Sequence, residues 1–207
     1  ALPTLPLHGQ RRLGMRSGDG FMDGDLMDII HAEAQAQWDL RRLIRWLRET
    51  QGAEDVAVLG YSLGGYNAAL LSTLESDLRC VIAAIPLVDI ATVLWTQGPP
   101  RMLQRMLAQG VTPQDVHKLL RVVSPLTLPP KLPRERRHIV AATADRIVPL
   151  PPILELWRHW QEPSLEWFQG THLSVRREAV VPPMLEAYLA NAGMLGTRAD
   201  VALTPAG

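Results

Sequence analysis

The sequence predicts an α/β fold, a mainly parallel sheet flanked by helices, on three observations. Apolar runs short enough for strands alternate with helical stretches along most of the 207 residues. The runs at 56–59, 79–86 and 138–142 are apolar almost throughout rather than at every second position, as strands covered on both faces are. Gly and Pro are scattered as punctuation between these runs, with no internal repeat or low-complexity block.

The elements follow in order. Residues 2–7 are apolar and read as a strand, confined to an edge or a strand end by Pro3 and Pro6. Residues 10–25 are rich in Gly, Arg, Ser and Asp and read as a loop. From 26 to 50, Ala36, Leu40, Leu43 and Leu47 recur at helical spacing and Gly52 supplies a stop. A strand at 56–59, a helix at 65–75 and a strand at 79–86 come next. Residues 88–135 contain no clear strand and read as a helical, cap-like insertion with helices near 100–109 and 113–122. The second of these starts on Thr112 as N-cap and Pro113 at the first helical position. A strand at 138–142, a helix at 150–161, a strand at 165–168 and a helix at 176–192 complete one domain over 1–192. Pro182 and Pro183 are expected to break or restart the last helix, and 193–207 reads as a tail.

Composition narrows the function classes. Lys and Arg number 21 against 21 Asp and Glu, so no basic excess supports capture of nucleic acid or an anionic membrane. No apolar run approaches the ~18 residues of a membrane span. Cys80 is the single cysteine, which excludes an internal disulfide, and its apolar surroundings read as inert core. The chain begins at Ala1 without a signal-peptide pattern, and a cytoplasmic location is the default expectation.

The sharpest local signal is Gly60-Tyr61-Ser62-Leu63-Gly64-Gly65, set between a strand run and a helical pattern. A Gly-x-Ser-x-Gly turn in that setting projects a serine from a strained strand-to-helix corner. Gly60 and Gly64 are expected to let strand and helix approach, and the Leu63 N–H points where an oxyanion forms. A serine hydroxyl needs a base, and the base an orienting acid. Of the six histidines, His31 and His159 fall in helical patterns, His117 in the insertion and His138 at a strand start. His172 instead occupies a loop just past the last strand, where parallel sheets place catalytic groups. Asp145 follows the strand at 138–142, and Asp89, just past the preceding strand, is its rival as the acid.

With Leu59 to Tyr66, Ala144-Asp145-Arg146-Ile147-Val148-Pro149 and Gly170-Thr171-His172 in this order, the chain resembles the α/β-hydrolase superfamily and its esterase-like bacterial members. Ser124-Pro125 is a weaker match, and the resemblance covers about residues 1–192. It implies Ser62, Asp145 and His172 as a catalytic triad acting on a small-molecule ester, without metal or organic cofactor. Tyr61, His8, Leu94 and Trp95 are the expected substrate-binding residues. Met102, Leu103, Met106 and Leu107 either line an acyl pocket with Leu94 and Trp95 or pack the insertion on the core. Trp38, Trp46, Trp157 and Trp160 read as core or surface anchors. The family's sheet usually has eight strands with the elbow after the fifth, so residues 2–7 resemble the fourth and the first three are expected to be absent; the alternative is that His8-Gly9 is the family's His-Gly motif in the loop after the third strand, which supplies an oxyanion-hole N–H. An open sheet edge invites pairing with another chain, and a homodimer through it is expected.

Overall fold

The computed structural model describes residues 1–21 and 25–195. Four parallel strands form one sheet in the order β1 (Val58–Tyr61), β2 (Val81–Ala84), β3 (Arg137–Ala142), β4 (Ser164–Phe168). Among the described residues seven α-helices surround it: α1 (Leu26–Glu49), α2 (Leu63–Leu71), α3 (Ile90–Gln97), α4 (Pro100–Ala108), α5 (Pro113–Leu120), α6 (Leu150–His159) and α7 (Val181–Asn191).

Side-chain alternation along the strands divides the core into two layers. Val81, Ala83, Ile139 and Ala141 face the cluster built with Ile29 and Ile44 of α1, Tyr66 of α2, Val116 of α5 and Leu156 of α6. Ile82, Ala84, Val140 and Ala142 face the other way, onto Val181, Leu185 and Tyr188 of α7. Both β2 and β3 are buried along their whole length, which is why their sequences lack a polar alternation. Cys80 lies fully buried in the second cluster, and burial pushes its thiol up to about 11. His138 stacks on Tyr188 with ring centroids 4.1 Å apart, and burial holds it down at about 4.

Helix starts follow their sequence signals. Asp25 caps α1 in a reciprocal capping box with Asp28, and Thr112 caps α5 in another with Asp115. Pro182 and Pro183 do not break the last helix. They lie in its first turn, where a missing N–H has no helical acceptor to lose.

Two expectations are corrected. Residues 2–7 form no strand. Pro3 and Pro6 remove ladder donors, and Leu7 takes a positive φ of 61°. The insertion also holds a third helix, α3, capped by Asp89 and burying Ile90, Ala91 and Leu94. β1 is consequently an edge strand among the described residues. Its Val58 and neighbouring Ser62 N–H groups bond towards β2, so the N–H groups of Leu59 and Tyr61 face outward. Among the described residues, no helix is long and apolar enough to cross a membrane.

Candidate active site

The site begins at the turn from β1 into α2. Ser62 stands between them with φ 54° and ψ −115°, outside the regions ordinary residues occupy. Three backbone hydrogen bonds hold it there. Its N–H donates to Ala84 O at 3.0 Å, and its carbonyl accepts from Tyr66 N at 2.9 Å and Leu87 N at 3.1 Å. A Cβ on Gly60 would lie 2.0 Å from Gly64 O, so only glycine fits there. The second close approach is at Gly65, where a Cβ would come within 3.0 Å of Ala84 O; around Gly64 there is open space. The crossing of strand and helix therefore depends on Gly60 and Gly65, which corrects the expectation for Gly64. As the first residue of α2, Leu63 has an N–H without an intrahelical acceptor.

The loops after β3 and β4 are tied together. Thr143 N donates to Phe168 O at 3.0 Å and Ala144 N to Gly170 O at 2.9 Å. A tight turn follows, in which Thr171 N donates to Ser174 Oγ at 2.9 Å and Ser174 N to Thr171 Oγ1 at 3.2 Å. These ties bring His172 beside Asp145. Asp145 is fixed in turn, its Oδ1 accepting from the N–H groups of Ile147 and Val148, each at 2.9 Å.

The three side chains form one hydrogen-bonded chain. His172 Nδ1–H donates to Asp145 Oδ2 at 2.7 Å, and Ser62 Oγ–H donates to His172 Nε2 at 2.8 Å. The carboxylate can only accept, which fixes the proton on Nδ1 and leaves Nε2 as the acceptor of the serine proton. The Asp145 side chain is 3% exposed and that of His172 11%, so bulk water competes little for either hydrogen bond.

Asp89, the rival acid, is committed elsewhere. It caps α3 through Thr92 N at 3.1 Å, contacts the Thr92 hydroxyl, and accepts from His117 Nε2 at 3.1 Å. His117 Nδ1 faces Pro113 O at 2.9 Å. Both ring nitrogens thus meet oxygen acceptors, an arrangement that only the imidazolium satisfies. Partial burial opposes that charge, but the hydrogen bonds to Pro113 O and Asp89 and the charges of Asp89 and Glu155 outweigh it and raise the pKa above 6.5. The sign follows: stability from this pair is complete below the ordinary imidazole value and is lost as pH rises through the raised one. An NMR titration of His117 is expected to give a midpoint above 6.5 that falls in Asp89→Asn. The same variant is expected to keep ester turnover to within about threefold, since Asp89 holds no part of the Ser62 chain.

The other expected site residues are dispersed. Tyr61 lines a groove of about 330 Å³ along the outer side of β1, together with Gly60, Gly64 and Arg176. Leu94 is buried in the core between helices and strands, with Trp95 packed against the same cluster. His8 lies in the N-terminal segment, its Nδ1–H on Pro6 O at 2.8 Å and its ring edge-on to Phe21. Two groups escaped the sequence reading. Arg176 has its guanidinium 5.5 Å from the centre of the Tyr61 ring. Glu33 of α1 is wholly buried with no well-formed hydrogen bond to either carboxyl oxygen.

Comparison with known proteins bears on the fold. No family model matches the chain. Acetyl xylan esterase 1 from Thermoanaerobacterium sp. JW/SL YS485 superposes with a TM-score of 0.65 at 12% identity, over 83% of this chain and 56% of that one. TT1662 from Thermus thermophilus superposes at 0.63 and 17% identity, over 93% and 76%. The α/β hydrolase GrgF from Penicillium sp. sh18 gives 0.57 and 16%, over 78% and 73%. The chain has the α/β-hydrolase fold. Within that α/β-hydrolase frame, Ser62 occupies the strand-to-helix elbow, and Asp145 and His172 sit on loops at the carboxyl ends of later strands. In sequence the chain is 35% identical over 195 residues to uncharacterized proteins of two Mycobacterium tuberculosis strains, CDC 1551 / Oshkosh and H37Rv. It spans about half the length of these curated relatives, 46% of each.

Proposed function

We propose that the chain is a carboxylic-ester hydrolase working through Ser62, His172 and Asp145. The observation that carries this reading is the continuous hydrogen-bonded path from carboxylate through imidazole to hydroxyl, at 2.7 and 2.8 Å. Its support from relatives is the esterase among the superposed structures.

In this mechanism Ser62 Oγ attacks the ester carbonyl while His172 Nε2 takes its proton. The negative charge moving onto the carbonyl oxygen is met by the Leu63 N–H at the positive end of α2. His172 then gives its proton to the leaving alkoxide, and an acyl-Ser62 ester remains. Water, deprotonated by His172, attacks that ester and releases the acid and free Ser62. Asp145 holds the Nδ1–H tautomer and stabilises the imidazolium formed twice in the cycle. The steps draw on no metal and no organic cofactor. Short-chain activated esters are the expected substrates, with the helical insertion of α3 to α5 as a cap.

The test is saturable hydrolysis of 4-nitrophenyl acetate. Turnover above the buffer rate, with release of one equivalent of nitrophenol per site ahead of the steady state, is the expected result. Folded protein without turnover on acetate, thioester or peptide panels would count against an enzyme and favour a binding domain.

A further inference from the structure

Charge is unevenly spread around the Asp145–His172–Ser62 path. Within five positions of these three residues the sequence carries Arg146, Arg176 and Arg177, and no acid besides Asp145. All three arginines are exposed. None of them takes part in an ion pair among the described residues. Asp145 is already engaged by His172, and Glu178, whose Oε1 lies against Gly170 of the His172 loop, forms no ion pair with these arginines among the described residues.

Arg176 is the best placed of the three. Its guanidinium lies 5.5 Å from the centre of the ring of Tyr61, the residue immediately before Ser62. That cation–π contact fixes the head of a side chain that would otherwise range through solvent. Arg176 is also the only charged side chain lining the groove of about 330 Å³ that runs from Gly60, Tyr61 and Gly64 along β1. The remaining wall is almost entirely apolar, with Leu40, Leu43 and Leu47 of α1 among its residues. An apolar cleft with one held charge orients a ligand by that charge. A guanidinium with an unspent planar fork matches a carboxylate.

We propose that the site acts on esters whose acyl group carries a carboxylate, and that Arg176 selects them. The proposal rests on the hydrolase reading and names its substrate class. The carboxylate pairs with Arg176 while the scissile carbonyl sits over Ser62, and the products are an alcohol and a dicarboxylate. The electropositive rim draws such a substrate in and favours its binding over that of a neutral ester of the same length.

Two esters differing only in the terminal group test this: mono(4-nitrophenyl) glutarate and 4-nitrophenyl pentanoate. The wild-type protein is expected to prefer the glutarate by at least about tenfold in kcat/KM, mainly through KM, with the preference shrinking as salt rises. In Arg176→Gln the ratio is expected to fall to about one, and Arg176→Lys is expected to keep part of it. A wild-type ratio near one, or a preference untouched by Arg176→Gln, overturns the proposal. A second measurement separates it from the hydrolase reading. Glutarate is titrated calorimetrically into the Ser62→Ala protein with and without Arg176→Gln. Binding at least about tenfold weaker without the arginine supports the anion site whether or not either ester is turned over, and equal binding overturns it.

Discussion

Ser62→Ala is expected to lower ester turnover by about 10,000-fold or more while leaving the fold intact. In the proposed mechanism the hydroxyl forms the acyl bond, and among the described residues the Ser62 hydroxyl, at 2.8 Å, is the one hydrogen-bond partner of His172 Nε2. Alanine at 62 removes only Oγ; the three backbone hydrogen bonds that hold the residue remain. Asp145→Asn is expected to lose a similar amount, about 10,000-fold, by another route. An amide at 145 offers His172 a donor as well as an acceptor, and the ring loses the proton position that keeps Nε2 free to accept. Steady-state rates on 4-nitrophenyl acetate, with circular dichroism to confirm folding, check both. A folded Ser62→Ala protein with wild-type turnover would rule the mechanism out.

Glu33→Gln is expected to stabilise the protein at neutral pH, an outcome opposite to that of most core substitutions. Glu33 lies in α1 with no exposed surface; the Asn67 side chain comes near its carboxyl group, but neither oxygen has a well-formed hydrogen bond. Beside it, Gln37 Nε2 donates to Asn67 Oδ1 at 2.8 Å and the Asn67 amide donates to Leu63 O at 3.0 Å. Burial raises Glu33 from 4.5 to about 8, with the Asn67 side chain opposing the shift. The unfolded chain releases this proton near 4.5, whereas the folded chain keeps it to about 8. Stability is therefore fullest below the lower value and falls as pH rises towards the upper one. At pH 7 the loss amounts to about 3 kcal/mol. Glutamine keeps the shape and removes the titration. Thermal unfolding from pH 4 to 9 is expected to show the two proteins close at the acid end and the variant higher by about 10 °C near pH 7.5. Parallel curves across that range would show that Glu33 is ionised and partnered in the folded chain.

What the sequence revealed, and what it hid, follows from the range of the forces involved. The elbow was legible because its constraint is local: a strained residue needs glycine within two or three positions, and a Cβ on Gly60 would lie only 2.0 Å from Gly64 O. Even so, the pattern misassigned the second contact to Gly64, because only the crossing of β2 shows that Gly65 is the residue pressed against Ala84. Asp145 and His172 were legible through strand order, since parallel strands carry their following loops to one edge of the sheet. The segment at 2–7 has the apolar content of a strand, but Pro3 and Pro6 remove two of its six ladder donors and no strand forms. Helix α3 was hidden by its shortness: its eight residues, with Ile90, Ala91 and Leu94 buried, make about two turns, too few for a clear apolar period. Glu33 and Arg176 could not be found in one dimension. A glutamate on a helix normally faces water, and an arginine in a loop gains meaning only when a distant ring lies beneath it.

The most direct test of the account is labelling with a fluorophosphonate probe, which reacts with a serine only when a base has activated it. Stoichiometric modification confined to Ser62, lost in His172→Ala, is the predicted result. Folded protein that stays unmodified, or that is modified equally well without the imidazole, would contradict it.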